Sequence, residues 1–171
     1  MTHDFPITIN HRLNIFGSAY LAQLGGSDFA ASGCTGMLDI IASLEWVRDN
    51  IEAFGGDPNT VTIFGESGGG RKVSTLLAMP GATGLFHRAI IQSGAILRVR
   101  NPRDATREAE LVLAKVGLRS NQGHELQMVP TDTLFEAALE AAGGFEPEER
   151  VVGMTGNTPV LDGDAIPVHP F

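Results

Sequence analysis

Between Met37 and Phe54 the apolar residues Ile40, Leu44, Val47, Ile51 and Phe54 recur at alternating steps of four and three. That period predicts an amphipathic helix with those side chains on its inner face and Asp39, Glu45, Asp49 and Glu52 off it. Gly55, Gly56 and Pro58 predict its end, because the glycines accept left-handed caps and proline cannot continue a helix. Elsewhere the apolar residues run consecutively. "ITIN" at Ile7 to Asn10, "VTIF" at Val61 to Phe64 and the run Ala89 to Gln92 are short and mostly β-branched, and each predicts a strand. A small-residue stretch, "GSAYLAQLGGSDFAASGCTG", reads as a long loop after the first strand. A helical stretch follows the glycine cluster after Phe64, runs through Leu77 and Ala78, and stops at Pro80 and Gly81. Strands alternating with helices predict parallel strands joined by helical crossovers, an α/β sheet with both faces covered.

The pattern changes after Arg98. "NPRDATREAELVLAKVGL" predicts a helix with Asn101 as N-cap, Pro102 in the first turn and Gly117 as the stop. A second helix is predicted from Thr131 to Gly143, and "TPVLDGDAIPVHPF" reads as a proline-punctuated surface loop with a short extended piece. The expected organisation is a sheet-bearing part over residues 1–100 and a helical and loop excursion of the same domain over residues 101–171.

Composition narrows the function. The chain has 171 residues, 43% hydrophobic, a formal net charge of -8 and a pI near 5.0, with no Lys and Arg run able to track a phosphate backbone. Nucleic acid is excluded as an expected partner. A single cysteine, Cys34, permits no internal disulfide framework and reads as a small buried hydrophobe. "MTHDFPITINHR" lacks the pattern of a secretory signal, and no apolar run has the length of a membrane span, so the expectation is a cytoplasmic chain without membrane partners.

The candidate chemistry lies in "VTIFGESGGGRKVST". Gly65 to Gly70 has the glycine spacing of a phosphate-binding loop, but Arg71 stands at the lysine position and Lys72 at the hydroxyl position that would hold magnesium. Gly65, Glu66, Ser67, Gly68 and Gly69 instead satisfy G-x-S-x-G, the nucleophile elbow, with a predicted strand before and a helix after. In that turn Ser67 is the nucleophile, and the amide of Gly68 at the helix start donates to a developing oxyanion. The competing reading is a glycine-rich turn with a capping serine. "DGD" at Asp162 to Asp164 has too few ligands for a calcium loop and reads as a turn. No metal site and no cofactor are expected.

Several blocks in register resemble the type-B carboxylesterases of the α/β-hydrolase fold: "TINHRLNIFG", "GMLDIIASLEWVRDNIEAFGGDPNTVTIFGESGGG", "GLFHRAIIQSG" and "PVLDGDAIPVHPF". The resemblance implies a carboxylic-ester hydrolase, with a small-molecule ester as substrate and an acyl-enzyme formed on Ser67. It matches Glu66 to a buried structural acid, Ser93 to a serine that helps orient the catalytic triad, and Arg12 with Asp39 to a structural ion pair. Many members have alanine at Gly68, and a bacterial branch has glycine.

Members of the family are several-fold longer, and the matched blocks exclude the upstream oxyanion segment and the downstream triad acid and histidine. The expectation is therefore a partial α/β-hydrolase core, a truncated, nucleophile-bearing piece of an esterase. Its alternative is a catalytically inactive binding module of the same fold. His3, His11, His87, His124 and His169 read as surface or packing residues. The family's strand between those equivalent to Ile7–Asn10 and Val61–Phe64 is absent, so self-association or a complementing polypeptide is expected to complete the sheet.

Overall fold

The computed structural model describes residues 5–143 and 158–171; His3 lies outside them. The loop predicted after Asn10 contains a short helix, α1 (Asn14–Ser18), followed by two 3-10 turns. Helix α2 (Thr35–Asn50) comes next and tightens into a 3-10 turn over Ile51–Phe54. Gly17 and Gly36 allow α1 and α2 to close on the same atom, since a Cβ on either would lie 2.3 and 2.4 Å from the Arg12 carbonyl oxygen. Of the predicted stripe, Ile40, Leu44, Val47 and Ile51 are buried, whereas Phe54 is 59% exposed. The 3-10 turn advances about 120° per residue against about 100° in an α-helix, which swings Phe54 off the stripe. Its ring lies 5.8 Å from that of Trp46 instead.

Strand β1 (Thr62–Glu66) runs into helix α3 (Gly68–Leu76), and strand β2 (Arg88–Gln92) returns parallel to β1 with Thr62 opposite Arg88 and Glu66 opposite Gln92. Among the described residues β1 and β2 form the whole sheet. The strand predicted at Ile7–Asn10 is corrected. These residues have no regular structure, because a strand needs a partner ladder and, among the described residues, β1 pairs with β2 alone. Ile7 and Ile9 remain exposed.

Helix α4 (Pro102–Lys115) begins where Asn101 Oδ1 accepts the Asp104 amide at 2.9 Å, and Gly117 follows it at φ +79°. A 3-10 segment, Ser120–Met128, leads to helix α5 (Thr131–Gly143). Two cores result. Met37, Ile40, Leu44, Leu76, Met79 and Val99 pack under α2 and α3, while Val112 and Leu113 of α4 meet Leu134 and Ala138 of α5 with Ile15 of α1. Glu108 is buried and accepts from Arg100 Nη1. Among the described residues no helix is long and apolar enough to cross a membrane.

The segment from Thr158 is not the surface loop that its prolines suggest. Val160 pairs with Arg100 in a parallel bridge, and Val160 and Ile166 are fully buried. Cys34 Sγ donates to the Val160 carbonyl at 3.2 Å. Burial first, then the charge of Asp162, pushes the Cys34 thiol up to about 12, so it packs as a neutral group. "DGD" is a turn: Asp162 Oδ1 accepts the amides of Asp164 and Ile166 at 3.1 and 2.9 Å. Prolines break the ladder here without removing the two inward-facing apolar side chains.

Leu113 is 1% exposed and Leu139 is 54% exposed. Leu113→Ala is expected to lower stability by about 2–5 kcal/mol, and Leu139→Ala to stay within about 0.5 kcal/mol, by urea unfolding.

Candidate active site

Ser67 sits between β1 and α3 at φ +49°, ψ -111°. A side-chain-bearing residue held there costs on the order of 1–3 kcal/mol, which surrounding structure has to offset. The offset is visible. The Ser67 amide donates to the Gln92 carbonyl of β2 at 2.9 Å, and the Ser67 carbonyl accepts from Arg71 in the first turns of α3 at 3.0 Å. Gly94, just past β2, closes the arrangement, because a Cβ there would lie 2.2 Å from the Ser67 oxygen and 2.8 Å from the Arg71 nitrogen. Gly65 is packed as tightly, with a Cβ position 2.4 Å from the Gly69 carbonyl carbon. Gly68 and Gly69 are different. A Cβ on Gly68 would meet only Lys72 Nζ, at 4.0 Å, and one on Gly69 would meet nothing within 4 Å.

Ser67 is exposed at the C-terminal end of β1, and none of the side-chain hydrogen bonds among the described residues involves its Oγ. The Gly68 amide opens α3, where unpaired N–H groups and the helix dipole favour negative charge. Ser93 follows β2 at φ +51°, next to the Gln92 carbonyl that holds Ser67. Glu66 corrects the expectation of a buried acid: it is exposed, since among the described residues no strand pairs with the outer edge of β1. Arg12 and Asp39 form a bidentate ion pair, Nη2 to Oδ1 at 2.6 Å and Nε to Oδ2 at 2.9 Å, and the Arg12 amide also donates to Oδ2 at 2.9 Å. The Arg12 bonds outweigh partial burial and hold Asp39 below the usual carboxylate range.

The histidines are dispersed. His87 Nδ1 accepts from the Val61 amide at 3.2 Å and so fixes the start of β1. Both ring nitrogens of His11 are shielded from solvent without a hydrogen bond, and burial, then Lys72, lowers its pKa against Asp39. Sequence reasoning set Lys72 aside when the phosphate-loop pattern failed. It is half-buried, and its ammonium turns back along α3 to the Gly68 carbonyl at 3.4 Å. The four-residue spacing from Gly68 is the signal that places it there.

This geometry has close counterparts among known proteins. The profile of the Carboxylesterase family matches residues 6–171. A para-nitrobenzyl esterase of Bacillus subtilis (strain 168) is 38% identical over 164 residues, 96% of this chain and 32% of the relative. Carboxylesterase 5A of Felis catus is 47% identical over 113 residues, 64% of this chain and 20% of that protein. The crystal structure of a Geobacillus stearothermophilus carboxylesterase at pH 6.8 superposes with a TM-score of 0.81 at 42% identity, covering 94% of this chain and 33% of the other. The chain thus spans about a third of the length of the bacterial relatives it matches.

Two outcomes follow from the contacts. Gly94→Ala is expected to cost about 3 kcal/mol or more through the backbone clash, whereas Gly69→Ala leaves stability unchanged or raises it by up to about 1 kcal/mol, by chemical denaturation. Asp39 has a depressed pKa in the folded state, so its contribution is present above the unfolded value and lost as pH falls through the folded one. The pair is partly exposed, which limits that contribution to about 1 kcal/mol or less. Arg12→Gln is expected to return Asp39 upward toward the ordinary aspartate range, read by NMR titration of its carboxyl carbon.

Proposed function

Because the chain belongs to the carboxylesterase family, we propose that it carries the nucleophile of a serine carboxylic-ester hydrolase acting on small-molecule esters. The observation that supports this most directly is the left-handed turn at Ser67, where a strand hands an exposed hydroxyl to the start of a helix. Ser67 Oγ attacks the ester carbonyl carbon and gives up its proton, and the tetrahedral oxyanion accepts from the Gly68 amide. The carbon–oxygen bond to the alcohol breaks, the alcohol leaves with a proton, and water then releases the acid from the acyl-enzyme and restores Ser67. A base has to take the Oγ proton, and the reaction rate of Ser67 reports how far this chain supplies one.

Within this reading Arg12 and Asp39 fix the loop that faces α3, Ser93 helps orient the group that activates Ser67, and Glu66 has a structural role beside it. The open outer edge of β1, with Phe64 65% exposed, supports completion of the sheet by a further strand, supplied by a complementing polypeptide or by self-association.

Incubation with an uncharged fluorophosphonate is expected to add one phosphonyl group to the peptide that carries Ser67, detected by mass spectrometry, and Ser67→Ala is expected to remove the adduct. A folded sample that acquires no adduct contradicts the reading.

A further inference from the structure

The two strands leave one side of the sheet bare. Ile63 packs against the core under α2 and α3, and Gly65 faces the start of α3, where its Cβ position lies 2.4 Å from the Gly69 carbonyl carbon. Side chains alternate along a strand, and residues in register share a side. Thr62, Phe64 and Glu66 therefore stand with Arg88, Ile90 and Gln92 on the opposite side, and all six are exposed. Phe64 lies opposite Ile90 at the middle of the register, and the two are 65% and 51% exposed. Arg88 stands two residues to one side of that row and Glu66 two residues to the other. Among the described residues neither has an ion-pair partner. A strand added along the edge of β1 pairs its backbone and leaves this face uncovered.

We propose that this bare face is a self-association surface, on which a second copy of the chain stacks face to face with its strands antiparallel. The face is complementary to itself. A two-fold axis across the strands at the Phe64 and Ile90 row lays those apolar side chains on their own copies. About 7 Å to either side, it brings the Arg88 end of each face over the Glu66 end of the other. Stacked sheets lie about 10 Å apart, within the combined reach of an arginine and a glutamate side chain. The parallel alternative puts the two Arg88 ends together and the two Glu66 ends together, so like charges meet at both. Any apolar partner covers Phe64 and Ile90, whereas a second copy necessarily supplies a Glu66 for each Arg88. The contact is small. Two strands of five residues each offer much less than the roughly 800 Å² per partner of a stable complex, so the dimer is weak and concentration-dependent. The net charge of -8 on each copy opposes it as well, which leaves burial of Phe64 and Ile90 as the driving contribution.

The test is sedimentation of the whole 171-residue chain at fixed ionic strength, from about 10 µM to about 1 mM. The mass is expected to rise from that of one chain, 18.1 kDa, toward twice that value. Phe64→Ser, with Ile90→Thr as a second variant, is expected to weaken dimerisation by about tenfold or more, with folding checked by circular dichroism. Arg88→Glu and Glu66→Arg should each weaken it, and the double variant should restore it, which a dimer formed through the strand edge or elsewhere on the surface does not do. A chain that stays monomeric throughout overturns the proposal. So does a dimer indifferent to folded Phe64→Ser and Ile90→Thr, or a double charge variant no tighter than the single ones. Quenching of the Ile90 methyl by a soluble paramagnetic agent separates other occupants. It is expected to be strong in dilute protein and to fade as the dimer forms. Protection already present in the monomer means that the chain's own residues cover the face, and that result overturns the proposal too.

Discussion

The hydrogen bond from the Ser67 amide to the Gln92 carbonyl, 2.9 Å long, is where sheet, helix and site meet. It extends the parallel ladder one residue beyond β1, and that extra residue is the one whose backbone leaves the allowed region for an ordinary side chain. The turn persists because its neighbours leave it no alternative. Gly94 presses on the Ser67 carbonyl, Gly65 accepts the returning backbone at Gly69, and the Arg71 amide closes the first turn of α3 on the same oxygen. The strain therefore points the hydroxyl outward at the end of the strand and starts a helix under it, which is the arrangement a nucleophile requires.

A second constraint works from the other side. The Arg12 carbonyl is wedged between Gly17 and Gly36, while its side chain and amide hold Asp39 on α2. That clamp places the loop from Leu13 to Ser18 against α3 and, with it, one wall of a cavity that Gly68 also lines. Arg71 and Lys72 of α3 line the same space as that loop.

Helices with strong local signals were legible in the sequence. The Asn101 cap, the Gly117 stop and the Thr131 start all carry local chemistry that tertiary context does not override. The elbow was legible for the same reason, since Gly65 and Gly70 answer a close approach of backbone while Gly68 and Gly69 complete the local pattern. What failed depends on partners that sequence does not name. "ITIN" has strand propensity but, among the described residues, no ladder to join, and Glu66 is exposed because none of the described residues forms a strand beyond β1. Phe54 was placed by a period that holds only while the helix remains α, and Val160 and Ile166 were hidden by the prolines around them. Lys72 was passed over because it was judged against a motif it does not satisfy, and its position follows from the helix that begins at Gly68.

The most direct measurement is amide hydrogen exchange at Ser67 in the free chain. The residue is exposed, so without the bond to Gln92 its amide exchanges at the rate of an unstructured peptide. The account predicts protection that matches the amides of β1 and β2 and is lost with them on addition of denaturant. Exchange of the Ser67 amide at the unstructured rate, while β1 and β2 remain protected, would contradict it.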